Sequence, residues 1–320
     1  MPNEGTTMTR IALACLLAVA LAPAARPDAA SPTPNADALG WRLGVQAFSF
    51  NRITLFEAID KVSGLGLHYI EAMPFGQLSP EHRAVRTDHN LAPEYRALLK
   101  EKLKASGVTL VNYGVVPLPN DETECRKVFD FAKDMGLETI VSEPPPDAIA
   151  LIARLCDEYE INVAIHNHPT PSAYWDPHTV LNAVKGHTQR LGACADTSHW
   201  MRSGLDVVES LQLLEGRIKS FHFGEVDGAT AADFAQQRQG LALDDPKFPS
   251  MIAHVSGIPN IVYGTGPADM HAWLTEIHRQ KIRAVFSIEA FFHLEPNVAA
   301  EKMRESIIYF EEVASDLATP

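Results

Sequence analysis

The stretch Leu191-Gly-Ala-Cys-Ala-Asp196 is a short apolar run that ends in a carboxylate. Three further runs are also apolar and also end in a side chain that can bind a metal: Thr139-Ile-Val-Ser-Glu143, Ile218-Lys-Ser-Phe-His222 and Val285-Phe-Ser-Ile-Glu289. Runs of this length, bounded by polar or turn residues, predict buried strands. Because an unpaired charge is costly to bury, these strand ends are expected to bind a partner.

Strand and helix signals alternate along the chain on both sides of these runs. Four more apolar runs predict the other strands, at 43–50, 68–71, 108–113 and 161–166. The predicted helices cover 54–65, 93–106, 121–135, 144–159, 176–184, 205–214, 270–280 and 297–317. Eight consecutive strand–helix units predict a single α/β domain, a (β/α)8 TIM barrel over residues 41–317.

The strand ends predict a metal site. In a parallel barrel the carboxyl ends of the strands meet on one face, where one ion can contact several strands. Three carboxylates and one imidazole are available there, from Glu143, Asp196, His222 and Glu289. This donor set suits Mn²⁺, Mg²⁺, Co²⁺ or Zn²⁺ better than a metal that prefers thiolates. We therefore predict one bound divalent metal ion.

Residues 1–30 have the pattern of a secretory signal peptide. Arg10 precedes an apolar segment at 11–22, and small residues follow as far as Ala30. The apolar segment is short for a membrane span. The sequence therefore predicts an exported protein, periplasmic or secreted, with no stable membrane insertion after cleavage. A disordered linker rich in proline, serine and asparagine is predicted at 31–40.

The net charge of the chain narrows the choice of binding partners. The net charge of −13 argues against nucleic acid as a partner, since phosphate binding needs a basic surface.

Outside the predicted signal, the cysteines are Cys125, Cys156 and Cys194, which form no CxxC motif. Their odd number excludes complete pairing within one chain, and we interpret them as small core residues. The sequence leaves a homo-oligomer open.

One long segment, 225–268, interrupts the regular alternation. It contains an Asp244-Asp-Pro246 turn and a Gly264-Thr-Gly266 turn. A loop of this length in a compact domain is usually functional or disordered. Because it follows the predicted seventh strand, we expect it over the face where the strand ends meet. Two interpretations stay open, a lid that covers a substrate and a plain surface insertion.

Taken together, these motifs resemble the xylose isomerase-like TIM barrel superfamily, which contains sugar phosphate isomerases and epimerases, inosose dehydratases and type 2 AP endonucleases. The resemblance covers about residues 43–313, and it rests on Glu143, Asp196-Thr-Ser-His199, Ser220-Phe-His-Phe-Gly-Glu225 and Phe286-Ser-Ile-Glu289. By resemblance to the ketose 3-epimerases of this group, the four predicted donors hold one divalent ion. The resemblance also implies that Glu143 and Glu289 act as acid and base and that His199 lies against the substrate.

The chain is similar in more detail to exported members of this superfamily. The shared motifs are His166-Asn-His168-Pro, Tyr174-Trp-Asp-Pro177, Gly192-Ala-Cys-Ala-Asp-Thr-Ser-His-Trp200, Arg202-Ser-Gly-Leu-Asp206 and Tyr263-Gly-Thr-Gly266. Some of these relatives are implicated in breaking or hydrating 3-keto-glucosides. The epimerases carry an arginine six residues after the seventh-strand histidine, where this chain has Gly228. The resemblance therefore implies a lyase or hydratase that acts on a non-phosphorylated carbohydrate, a 3-keto-glycoside.

Such a substrate has an acidic proton at C2 and a leaving group at C1. With a metal to stabilise the charge on the carbonyl oxygen, Glu143 or Glu289 would remove the proton. His166, His168 or His199 would assist departure of the leaving group. The side chains predicted to contact the sugar are His168, Trp200, Arg202, Lys219, Trp175 and Phe48.

Other functions fit parts of the same pattern. The donor set would also serve a sugar isomerase or a ketose 3-epimerase. A non-catalytic carbohydrate-binding barrel would keep the aromatic residues but would need no metal. A metal-dependent DNA-repair nuclease shares the donor skeleton but requires further ligands, and Tyr113 stands where it would have a histidine. The acidic charge and the predicted export also argue against the nuclease.

Overall fold

The computed structural model describes residues 31–228, 257–266 and 268–319. The strands, in chain order, are β1 Arg42–Gln46, β2 Tyr69–Ala72, β3 Thr109–Tyr113, β4 Thr139–Ser142, β5 Asn162–His166, β6 Leu191–Asp196, β7 Ile218–Phe223, β8 Glu225–Val226, β9 Asn260–Ile261 and β10 Val285–Ile288. The α-helices are α1 Pro34–Leu39, α2 Leu55–Gly64, α3 Pro93–Ser106, α4 Glu122–Met135, α5 Ile149–Tyr159, α6 Pro177–Val184, α7 Thr197–Arg202, α8 Val207–Leu213, α9 Met270–Arg279 and α10 Pro296–Ala318. Two 3-10 helices lie at Ala47–Phe50 and Pro146–Ala148.

Eight of the strands close into a parallel barrel. The order around the barrel is β1, β10, β7, β6, β5, β4, β3 and β2, and β2 pairs again with β1. Helices lie between successive strands, so the predicted (β/α)8 TIM barrel is confirmed. Because all eight strands are parallel, their carboxyl ends open on the same face.

Local signals fix several element boundaries. The Thr54 side chain accepts a hydrogen bond from the Glu57 backbone, and the Glu57 carboxylate accepts one from the Thr54 backbone in return, so α2 begins with a capping box. β1 ends four residues earlier than the predicted first strand. The reason is that the Gln46 side chain accepts a hydrogen bond from Phe48 N, which turns the chain into a 3-10 helix.

The inside of the barrel is unusually polar. Barrel interiors are commonly filled by valine, isoleucine and leucine. Here a hydrogen-bonded group of buried polar residues crosses the interior between β1, β2, β3 and β10; its members are Gln46, Glu71, Asn112 and Ser287. Most apolar burial lies elsewhere, in a large core shared by the strands and the surrounding helices.

Residues 31–40 do not match the predicted disordered linker. Pro34–Leu39 form α1, which packs against α10. The carboxylate of Glu311 on α10 accepts hydrogen bonds from the backbone N–H groups of Asn35 and Ala36 and from the Asn35 amide. These bonds satisfy two of the free donors at the start of α1, and they explain why a segment of weak sequence pattern is ordered.

Two predicted features lie mainly or wholly outside the described residues. The signal peptide at 1–30 is one, and most of the long loop at 225–268 is the other. The described ends of that loop pair as an antiparallel ribbon, with Glu225 opposite Ile261 and Val226 opposite Asn260. Within the described ranges, no helix combines the length and apolar content needed to cross a membrane.

The three cysteines of the described chain match their prediction. Cys125, Cys156 and Cys194 are buried and free. Burial raises the pKa of Cys125 to about 11 and that of Cys156 to about 12, so both thiols stay protonated at neutral pH.

Candidate metal centre

Four side chains converge at the carboxyl ends of four consecutive barrel strands. His166 ends β5, Asp196 ends β6, His222 lies in β7, and Glu289 follows β10. One donor atom from each of the four lies within 4.8 Å of the others. This group is the candidate metal centre.

Three of these donor atoms have no hydrogen-bond partner although they are buried. They are His166 Nε2, His222 Nδ1 and Glu289 Oε2. His222 Nδ1 lies 2.7 Å from Glu289 Oε2, and His166 Nε2 lies 3.5 Å from Asp196 Oδ2. Buried polar atoms are nearly always satisfied, so a cluster of unsatisfied donors and acceptors that face each other fits a bound cation. Two imidazoles and two carboxylates suit Zn²⁺, Co²⁺ or Mn²⁺.

Both histidines are oriented by a carboxylate on the side away from the centre. His166 Nδ1 donates to Glu143 Oε1 at 3.1 Å, and His222 Nε2 donates to Glu71 Oε1 at 2.8 Å. An ionised carboxylate can only accept, so these contacts place the ring proton at the rear of each imidazole. The other nitrogen of each ring then faces the centre, and its lone pair becomes available to a metal once that nitrogen loses its proton, which is the arrangement found around bound metals.

The electrostatics of the centre favour positive charge. Burial alone would lower the pKa of His166, but its contacts with Asp196 and Glu143 raise the pKa to about 10. The pKa of His222 is also raised well above its ordinary value, because the electrostatic effects of Cys194, Glu71 and Glu289 outweigh burial. Burial alone would raise the pKa of Glu289, but the charge of His222 lowers it to about 2. In the absence of a metal, protons on the two imidazoles therefore supply the positive charge that stabilises the ionised carboxylates.

Glu143 belongs to a second group, together with His166 and His168. β4 ends at Ser142, one residue before Glu143, and the carboxylate turns towards the segment after β5. It accepts hydrogen bonds from His168, through both backbone and ring nitrogens, and from Ser172 Oγ. The predicted donor set and the observed group thus share Asp196, His222 and Glu289, with His166 in the fourth place. The role of Glu143 as a metal ligand stays a prediction.

His199 lies beside the centre, and its contact with a substrate stays a prediction. Its Nε2 is 3.5 Å from Asp196 Oδ2, and its backbone N–H donates to Asp196 Oδ1 at the start of α7. Its Nδ1 accepts a hydrogen bond from the Arg202 guanidinium, so the proton of a neutral ring sits on Nε2. Burial, followed by the charge of Arg202, holds the pKa of His199 well below its ordinary value. His199 is therefore a neutral hydrogen-bond donor towards the centre.

Three of the predicted sugar contacts need correction. Arg202 is buried, and its guanidinium donates to Ile258 O, Asn260 Oδ1 and His199 instead of facing a substrate. Trp200 is only 1% exposed and packs in the core, because α7 directs it away from the opening. Lys219 lies near the start of β7, beside Gly192, at the opposite end of the barrel from the centre.

The other three predicted contacts lie on the face of the centre. His168 is half-exposed beside Glu143, with its ring centroid 5.3 Å from that of His199. Trp175 is partly buried in the segment between β5 and α6. Phe48 lies in the 3-10 helix that follows β1. Their contacts with a sugar stay predictions.

The sequence interpretation missed residues that support the centre. The sequence pattern places Glu71 only at the end of the second predicted strand, although the run His68-Tyr-Ile-Glu71 has the same form as the four runs that end in predicted donors. Asn167 exchanges hydrogen bonds with the backbone N–H and carbonyl of Asp196, which joins the ends of β5 and β6. Ser172 gave no signal, because it lies in an irregular loop.

A comparison of ligand variants tests which residue is the fourth donor. We expect His166→Asn to weaken Zn²⁺ binding by more than about 100-fold and Glu143→Gln by about 10- to 100-fold, the range for a residue that only supports a ligand. Competition with a chromophoric chelator measures both affinities. His178→Asn, an exposed histidine on α6, is the control. A larger loss for Glu143→Gln than for His166→Asn would contradict this assignment.

Metal binding should also release protons. Because the raised pKa values keep His166 and His222 protonated at neutral pH, each ring must lose a proton before its nitrogen binds a metal. At pH 7.5 we expect about two protons to be released per Zn²⁺, and affinity should fall as the pH is lowered. Calorimetry in buffers of different ionisation enthalpy measures this number. A release of zero would show that both rings are neutral in the metal-free protein.

The fold has relatives among solved structures. A putative uncharacterised protein from Parabacteroides distasonis is 28% identical, with a TM-score of 0.63 over 85% of this chain and 99% of that one. A D-psicose 3-epimerase is 13% identical, with a TM-score of 0.61 over 85% and 99% of the two chains. A probable 3-DHS dehydratase from Bacillus anthracis is 16% identical, with a TM-score of 0.58 over 82% and 97%. The last two likenesses show the fold alone.

The family is shown by sequence. No curated protein matches this chain. Residues 59–312 match the family model described as Xylose isomerase-like TIM barrel. This match covers most of the chain and agrees with the closed eight-stranded barrel. The chain therefore belongs to the xylose isomerase-like TIM barrel family.

Proposed function

We propose that the protein is an exported enzyme that uses a divalent metal to remove a proton next to the carbonyl of a non-phosphorylated keto-sugar. A 3-keto-glycoside is the favoured substrate, with elimination or hydration as the outcome. The observation that carries the proposal is the set of buried donor atoms without partners, His166 Nε2, His222 Nδ1 and Glu289 Oε2, at the open face of the barrel. Export rests on the sequence of residues 1–30.

Different residues around the centre would carry out different parts of the proposed reaction. A divalent ion held by His166, Asp196, His222 and Glu289 would stabilise negative charge that develops on a carbonyl oxygen. Glu143 lies outside this donor group, and its side chain is 22% exposed. Burial opposes ionisation of Glu143, but the adjacent histidines hold its pKa well below the ordinary range. It is therefore an ionised carboxylate at the opening, and we assign it the role of base.

Proton donors lie next to this base. His168 is half-exposed and contacts Glu143, so it can pass a proton between the carboxylate and a leaving group. His199 presents Nε2–H towards the centre and can donate a hydrogen bond to a sugar oxygen. These two histidines serve the acid role more directly than His166, which is buried among the metal donors.

The positions of Arg202 and Lys219 fit a substrate without phosphate. The two that were predicted to face the sugar are unavailable for a phosphate, because Arg202 is bound by protein atoms and Lys219 lies at the far end of the barrel. Binding of a phosphate monoester by side chains usually needs arginine or lysine within hydrogen-bond distance. A neutral sugar needs neither.

An aromatic group beside the centre supports a glycoside as the substrate. The Phe48 ring contacts Phe75, at 6.0 Å between centroids, and Phe292, at 5.2 Å. These rings follow the neighbouring strands β1, β2 and β10, and Phe75 is 46% exposed. Ser49, next to Phe48, bonds to Ile288 O and Ala290 N on either side of Glu289. The exposed Phe75 ring, packed against Phe48, suits an apolar aglycone attached to a sugar at the centre.

Deuterium exchange tests the proposed reaction. In D₂O, the C2 proton of an aryl 3-keto-glucoside should exchange with solvent when the metal-loaded protein is present, and a chelator should stop the exchange. Glu143→Gln should lower the exchange rate by about 10²- to 10⁴-fold, the contribution typical of a general base. Glu138→Gln, at the other end of β4, is the matched control and should keep the wild-type rate.

The same experiment separates the alternatives. Exchange with release of the aryl group supports elimination, and exchange without release supports the isomerase or epimerase. Binding of the glycoside without any exchange would overturn the enzyme proposal in favour of a carbohydrate-binding barrel.

A second experiment tests the aromatic group. We expect Phe75→Ala to lower kcat/KM for an aryl 3-keto-glucoside by about tenfold, because one aromatic contact is lost. Exchange of 3-keto-glucose, which has no aglycone, should be unchanged, as should metal affinity. Ile308→Ala removes an exposed apolar side chain on α10 and is the control. Equal effects on both substrates would contradict a role in aglycone binding.

A further inference from the structure

Glu71 is a fully buried carboxylate inside the barrel. It lies in β2 next to a register shift between Ile70 and Glu71, and its exposure is 0%. It accepts four hydrogen bonds, from Gln46 Nε2 at 3.3 Å, Asn112 Nδ2 at 3.3 Å, Ser287 Oγ at 2.9 Å and His222 Nε2 at 2.8 Å. The polar interior of the barrel is therefore organised around this one side chain.

No lysine or arginine of the described ranges forms an ion pair with Glu71. Among the described residues, its ion pair is with His222, and its other three partners are neutral. A buried carboxylate is costly unless positive charge lies close to it. The positive charge must therefore sit on the His222 ring or on whatever that ring binds. A divalent ion at Nδ1 supplies it while Nε2 keeps its hydrogen bond to Glu71.

The contact also decides which nitrogen of His222 can bind. An ionised carboxylate accepts and does not donate, so the proton must be on Nε2. When the ring loses its second proton to bind an ion, the lone pair is therefore on Nδ1, which lies 2.7 Å from Glu289 Oε2, within the donor group. A ring with the opposite tautomer would leave both Glu71 and the centre without a matching partner.

We propose that Glu71 is a positioning residue of the metal centre. It fixes His222 in the tautomer that presents Nδ1 to the ion, and it adds a buried negative charge that strengthens binding of a divalent cation. The role concerns the ion itself and holds whichever reaction the centre catalyses. Carboxylates placed behind metal-binding histidines act in this way in general, and their loss weakens metal binding by about 10- to 100-fold.

Two variants separate charge from hydrogen bonding. Glu71→Gln keeps the size of the side chain and an oxygen that can accept from His222, but removes the charge. Ser287→Ala removes one neutral hydrogen bond to the same carboxylate and leaves the charge in place. We expect Glu71→Gln to weaken Zn²⁺ affinity by about 10- to 100-fold and Ser287→Ala to change it by less than about threefold. Chelator competition on the folded protein gives both numbers.

The expected contrast distinguishes positioning from a purely structural role. A residue that only supports the fold would lower the unfolding temperature in both variants and leave the affinity of the folded fraction unchanged. Equal Zn²⁺ affinities for wild type, Glu71→Gln and Ser287→Ala would therefore overturn the proposal.

A measurement on the wild-type protein avoids any failure of the variant to fold. Long-range ¹H–¹⁵N NMR of the Zn²⁺-loaded protein, with His222 assigned, reports which ring nitrogen carries the proton. The proposal predicts a protonated Nε2 and a metal-bound Nδ1. Zinc on Nε2, or an Nε2 without a proton, would overturn it. Failure of the deuterium exchange assay alone would reject the proposed reaction and leave this assignment intact.

Discussion

The structure of the open face depends on the neutralisation of buried carboxylates. Asp196, Glu289 and Glu71 are held inside a low-dielectric barrel, where an uncompensated charge is very costly. In the described chain, every ion pair formed by these three carboxylates is with a histidine. Imidazoles can hold either a proton or a metal, so the same arrangement is stable without the ion and ready to bind it. The raised pKa values of His166 and His222 reflect the stabilisation of positive charge at this site.

The fold tolerates these buried charges because apolar packing and polar contacts lie in different parts of the domain. Apolar contacts that hold the domain together lie mainly between the strands and the outer helices. Inside the barrel, a small apolar layer of Val141, Ala164 and Cys194 lies two residues before the functional ends of β4, β5 and β6, and hydrogen bonds satisfy much of the remainder. The interior can therefore be polar without loss of the main core. Its hydrogen bonds hold the rings of the centre in place.

Much of the fold and the position of the candidate site could be predicted, because local sequence patterns specify them. Apolar runs and caps located the strands and most helices, and the charged run ends located the open face. Side-chain direction was harder. Trp200 and Arg202 lie on α7, which had no clear signal, and both side chains are buried among protein atoms. His166 occupies the fourth place in the observed group, while the Glu143 carboxylate accepts hydrogen bonds from His168 and Ser172. Such side-chain directions depend on contacts between distant segments, which no local pattern specifies.

The central claim is that His166, Asp196, His222 and Glu289 together hold one divalent ion. Anomalous diffraction at the zinc edge, from crystals grown with Zn²⁺, tests it most directly. The predicted result is one strong peak about 2.0–2.2 Å from His166 Nε2, His222 Nδ1 and a carboxylate oxygen of each acidic residue. A peak coordinated by Glu143 and His168 instead, or no peak on the open face, would contradict the claim.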